Sequence, residues 1–163
     1  MKTLLSILLS LSLVFVFAAN AESPERSAEG SALIGAWAVD VSKLPMPPEA
    51  RPKRVTITFD QPERGRWSTK VEVVDASGAT YRAEGVNSLD GTPAPVTGGF
   101  ESDIASATMP TPDVLILTLG RDGVPGSTRI YTVVRGGKSM IETSSYFGDD
   151  GRPIVRTHYF DCL

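Results

Sequence analysis

The sequence predicts an all-β fold, an up-and-down antiparallel β-barrel of about ten strands, and three observations carry that prediction. Stretches such as RVTITFD (54–60) and WSTKVEVVD (67–75) alternate apolar and polar residues with period two and are rich in Val, Ile, Thr and aromatics. Turn sequences recur between such stretches at short intervals: DASGAT (75–80), LDGTPAP (89–95), MPTPD (109–113), RDGVPG (121–126), RGGK (135–138) and GDDGRP (148–153). Their Asp-Gly and Gly-Gly pairs supply the positive φ that tight hairpins need. Finally, beyond the N-terminal segment no run of ten or more residues shows helical apolar spacing, so no crossover helix is available to a parallel sheet.

Taken in order, strands are expected near 34–40, 54–60, 67–74, 80–87, 94–98, 104–109, 114–120, 126–135, 139–147 and 153–161. Antiparallel neighbours in that number gain by closing, because closure removes the exposed edges of an open sheet. A β-sandwich needs Greek-key crossovers, and only Val41 to Lys53 is long enough to make one. Its Pro45, Pro47, Pro48 and Pro52 instead favour an extended, polyproline-like strap across one barrel end.

The first 21 residues have an early Lys2, an apolar run from Leu4 to Ala19 broken only by Ser, and the tripeptide Ala19-Asn20-Ala21. That is the layout of a cleaved signal peptide, which implies a periplasmic or secreted protein. The mature chain then begins at Glu22 with a polar, flexible leader over 22–32, followed by a single barrel domain over 33–163. The apolar run is short for a membrane span and no Cys stands near the cleavage point to take a lipid, so a soluble product is expected. A net charge of −3 with both signs scattered along the chain argues against a nucleic-acid partner. With Cys162 as the sole cysteine there is no internal disulfide, although an exported thiol can pair with a second chain.

GAWAVD (35–40) with Lys43, PKRVTITFD, VDASGATYR, LDGTPAPVTG and GKSMIETSSYFGDDGRPIVRTHYFD together resemble a group of small exported bacterial proteins generally without assigned function. Its members read G-T-W near the start, P-V-T-G mid-chain and G-K-T-M-T before a last D-x-x-G-x-P hairpin. The resemblance runs from about Leu33 to Asp161, and the group itself looks lipocalin-like, akin to lipocalins and fatty-acid-binding proteins. It implies that Gly35 opens the first strand and that Trp37 closes one barrel end against an Arg of the last strand, for which Arg156 is the candidate.

Arg129 and Tyr131 lie two apart, hence on one strand face. Fatty-acid-binding proteins hold a ligand carboxylate with an Arg-x-Tyr of this spacing, and the resemblance makes this pair a ligand-binding candidate, the alternative being an outward, solvated pair. Tyr81 and Arg82 point to opposite faces, so at most one lines a cavity, and Tyr81 is the candidate. His158 is the only histidine and cannot build a multi-His metal site. A late His resembles the haem ligand of nitrobindin-like barrels, but the further glycines that follow G-x-W there are missing, and no cofactor is expected. GKS (137–139) lacks the first Gly and the helix of a phosphate loop, and DDG (149–151) lacks the later ligands of a calcium loop.

The reading that follows is a barrel whose interior takes a small apolar or amphipathic molecule. The alternatives are a filled barrel serving as an interaction module of the cell envelope and, less favoured, an enzyme or haem-binding barrel. No nucleophile–base pair stands at a recognisable spacing, and no enzyme is expected.

Overall fold

The computed structural model describes residues 30–134 and 136–163. The expected signal peptide, Met1 to Ala21, and most of the expected leader lie outside the described residues. The end of that leader belongs to the folded part: Ser31 is buried, and its hydroxyl donates to the Pro112 carbonyl at 2.5 Å.

Among the described residues there are ten strands: β1 (Gly35–Val39), β2 (Arg54–Glu63), β3 (Arg66–Val74), β4 (Thr80–Ser88), β5 (Ala94–Thr97), β6 (Ile104–Thr111), β7 (Val114–Arg121), β8 (Val124–Val133), β9 (Ser139–Phe147) and β10 (Pro153–Cys162). Each pairs antiparallel with its sequence neighbour, and β10 returns to β1 with Trp37 opposite Cys162 and Val39 opposite Phe160. The result is the closed up-and-down barrel that the hairpin-only connectivity dictates.

Alternation sorts each strand into an inner and an outer face. On β2, Val55, Ile57 and Phe59 face in, while Arg54 pairs outside with Glu72 of β3, whose carboxylate also takes Arg82 of β4. The segment after β1 is not an extended strap. It forms two short 3-10 turns, Val41–Lys43 and Pro48–Ala50. Asp40 caps the first by accepting from the Ser42 amide at 3.1 Å, and Pro48 starts the second, where its fixed φ suits a helical first position.

One end of the barrel is solid. Leu33, Trp37, Phe59, Trp67, Leu89, Met109, Leu115 and Met140 are all buried there. Trp37 is 1% exposed, and its indole N–H donates to the Leu33 carbonyl at 2.8 Å, so the chain just before β1 plugs this end. Gly35 enters β1 with φ of 133°, a conformation that strains any residue with a Cβ. Arg156 does not share in the closure. It lies six residues up β10 from the partner of Trp37, roughly 20 Å along the strand, and it is exposed at the other end. The main chain of Leu33 does what Arg156 was expected to do.

The wall is thinnest at β5, which has four residues and carries Pro95, with Pro93 just before it. Neither proline can donate to a ladder, and β5 keeps two register pairs with each neighbour. Beside it the Asn87 side-chain amide donates to the Ala105 carbonyl at 2.7 Å and joins β4 directly to β6.

Candidate functional site

The open end leads into a cavity of about 300 Å³. Its apolar wall comes from inward-facing Val39, Val55, Val71, Val73, Val96 and Leu119, side chains too short to meet across the lumen. The floor is aromatic: Tyr131 and Phe160 line it with ring centroids 6.3 Å apart, and Phe59, in the core, packs edge-on against Tyr131 at 5.2 Å. The 98–103 loop supplies part of the rim through Phe100, Glu101 and Ser102. Gly98 and Gly99 make its path possible, since a Cβ on Gly99 would lie 1.8 Å from the Ser102 carbonyl oxygen and one on Gly98 2.5 Å from that of Arg82.

One wall is polar. β8, β9 and β10 run side by side, and their registers set Arg129 opposite Ser144 and Tyr131 and His158 both opposite Glu142. Glu142 is 3% exposed. Its Oε1 faces Arg129 Nη1 at 3.6 Å and His158 Nδ1 at 3.7 Å, both beyond hydrogen-bond reach, and among the described residues that oxygen has no hydrogen-bond partner. Arg129 Nη2 donates to the Glu101 carboxylate, which reaches in from the rim. Burial alone would lower the Arg129 pKa, but Tyr131, Glu101 and Glu142 more than offset it and hold the guanidinium firmly charged. Burial, reinforced by Glu142, pushes the Tyr131 phenol well above its ordinary range, so it stays neutral at physiological pH.

Comparison with solved structures then places the architecture. The chain is similar to wild-type fluorescent protein UnaG, with 14% identity and a TM-score of 0.51 over 80% of this chain and 96% of that one. It is also similar to zebrafish ileal bile acid-binding protein complexed with cholic acid, with 13% identity and a TM-score of 0.51 over 82% of this chain and all of the other. The fold is thus a lipocalin-like barrel of the fatty-acid-binding-protein type. No protein-family model matches the sequence, and no curated protein sequence matches it.

Of the residues singled out from the sequence, Arg129, Tyr131 and His158 converge on the cavity. The Arg129–Tyr131 pair faces inward, not out to solvent. Tyr81 sits on the rim, 45% exposed, packed edge-on against Phe100 and donating its hydroxyl to Asp75 at 3.3 Å; it does not line the cavity. Arg156 shares the inner register of His158 but lies beyond the cavity, in solvent.

Glu142 and Glu101 were not foreseen. For Glu142 a signal existed: in SMIETSSYF the inward positions read Met140, Glu142, Ser144, and a carboxylate following a buried Met on one strand face demands a partner. For Glu101 there was none, because its partner is 28 residues away and a charged loop residue is ordinarily solvated. Thr69, on the opposite wall, likewise lacks a partner for its buried hydroxyl among the described residues.

Proposed function

We propose that the protein is exported and that it carries a small apolar or amphipathic molecule in the open half of its barrel. The observation that supports this most is the cavity itself, hollow, mostly apolar and furnished on one wall with Arg129, Glu142 and His158. Ligand pockets of roughly 300–1,000 Å³ have this make-up, apolar with a few placed polar groups. The zebrafish barrel of like fold was solved with cholic acid, a small amphipathic molecule. A filled interaction module fits less well, since its lumen would be packed along its whole length. A binding role is favoured over catalysis, because the polar groups here are an ion-pair cluster around one guanidinium rather than a nucleophile with its base.

Native mass spectrometry of the protein purified from its own host tests the binding role. A bound mass of a few hundred daltons that leaves on gentle activation is the expected result, and a bare chain in every preparation would refute it. N-terminal sequencing of the same material tests export: it is expected to begin at Glu22, and an intact leader would exclude that part of the reading.

A further inference from the structure

The charge on the polar wall goes further than the shape of the cavity. Among the described residues the carboxylates that face the cavity belong to Glu101 and Glu142, and its fixed cation is Arg129. Glu84 lies in the outer register of β4, and its carboxylate pairs there with Lys70, 3.1 Å away. Two carboxylates are left to one guanidinium, and both are already disposed around it, Glu101 from the rim and Glu142 from β9. The chain thus places its own carboxylate where the anionic head of a ligand would sit. An incoming carboxylate would have to displace Glu101 and would still face Glu142 across a site poor in water, where like charges repel strongly.

The unmet need in the site is of the opposite kind. A carboxyl oxygen of this kind is an acceptor, and Glu142 Oε1, nearly all of its residue buried, receives no hydrogen bond among the described residues. Arg129 Nη1 and His158 Nδ1 face it but stop short at 3.6 and 3.7 Å. Across the lumen the Thr69 hydroxyl is also without a partner among the described residues.

Resting on the reading that the cavity holds a ligand, we propose that it selects molecules with an uncharged or cationic head bearing an O–H or N–H donor, seated against Glu142, and that Glu101 excludes carboxylates by occupying Arg129. Glu142 is the acceptor that orients the head, and Val55, Val71, Val73 and Leu119 take the apolar remainder. Glu101 is therefore a specificity-determining residue on a loop, held in place by its bond to Arg129 and by the Arg121 guanidinium, which donates to the Gly99 carbonyl at 2.6 Å.

The test is displacement of Nile red by three molecules that share a ten-carbon tail: decanol, decylamine and decanoate. The purified protein is expected to take up Nile red and to release it to decanol and decylamine at concentrations about tenfold below that of decanoate, a difference near one decade in Kd. In Glu101→Gln, with its circular dichroism spectrum checked against the wild type, the ratio of decanoate to decanol affinity is expected to rise about tenfold as Arg129 is freed. In Glu142→Gln, the preference for decylamine over decanoate is expected to fall. If decanoate competes as well as decanol in the wild type, or if Glu101→Gln leaves the ratio unchanged, the selectivity is refuted while ligand binding stands. If Nile red is not taken up at all, the ligand-binding reading fails and the selectivity falls with it.

Discussion

The plugged half of the barrel and its hollow half are built by the same strands under the same alternation, yet one is a packed core and the other a cavity. Near the plug, the inward positions hold Trp37, Phe59, Trp67, Met109, Leu115 and Met140. Toward the mouth, three of those strands hold Val39, Val55 and Val73 at their inward positions, and β4 beside them holds Ala83. Period two decides which side chains point inward; their size alone decides whether they meet. A barrel of this diameter is filled only when large residues recur on every strand at one level, and here they recur at a single end. The wall at the mouth is held by the continuous β2–β3–β4 ladders, with Glu72 bridging Arg54 and Arg82 across them on the outside.

The comparison breaks most visibly where the plug is emptied. Trp37→Ala removes a fully buried indole and the bond to Leu33, and is expected to cost about 3–5 kcal/mol in denaturant melts. An equal midpoint for the two proteins would mean that the plug is not the core. The converse change fills the hollow half. Ala83→Leu places a larger side chain on the inner face of β4 and is expected to reduce Nile red uptake about tenfold while altering stability by less than ~1.5 kcal/mol. A loss of stability as large as that of Trp37→Ala would show that the cavity has no room to spare. Arg156→Ala, at the solvated end of β10, is expected to shift stability by no more than about 0.5 kcal/mol. A larger loss would restore Arg156 to a structural role.

The smallest effect concerns the loop behind β1. The bond from Lys43, together with those from Ser42, holds the Asp40 carboxyl down to about 2, against an ordinary 3.8. A group whose pKa is depressed on folding adds stability that is present above its unfolded value and disappears as the pH falls through the folded one. Acid melts are therefore expected to show a slight Asp40-dependent loss as the pH drops from 3.8 toward 2, absent in Asp40→Asn. The pair is at the surface, where solvent screens it. An NMR titration of Asp40 with a midpoint near 3.8 would remove the effect altogether.

What could be read from the sequence and what could not divide along the same line as local and distant contacts. The strands and hairpins follow from side-chain period and turn residues a few positions apart, and both are written locally. Alternation also showed that Arg129 and Tyr131 share a face, but not which face. On β8 the apolar Ile130 is partly exposed while Arg129 points inward, so polarity on that strand runs opposite to the usual sense. Glu142 and Glu101, brought in by the neighbouring strand and by a distant loop, supply the opposite charge that such an inversion needs. The same holds for Trp37: the resemblance points to Arg156 as its partner, whereas the residue that takes its indole N–H is four positions away and does so with a main-chain carbonyl. The proline-rich segment departs from expectation for a different reason, since a cap by Asp40 and a proline at the first helical position suffice to fold single turns that composition alone does not reveal.

The short β5 has a mechanical consequence. Between β4 and β6 a stretch of the cylinder is joined by the Asn87 amide and isolated main-chain contacts, such as the Gly91 amide donating to the Ala107 carbonyl, rather than by a continuous main-chain ladder. A ladder parts only when many bonds yield together, but a side-chain stitch can be undone by a single torsional rotation, leaving its neighbours intact. The molecule is therefore a cylinder in topology and a seamed tube in its compliance: circumferential strain, such as that from an oversized guest, will concentrate at β5, and the seam will yield before the hoop does.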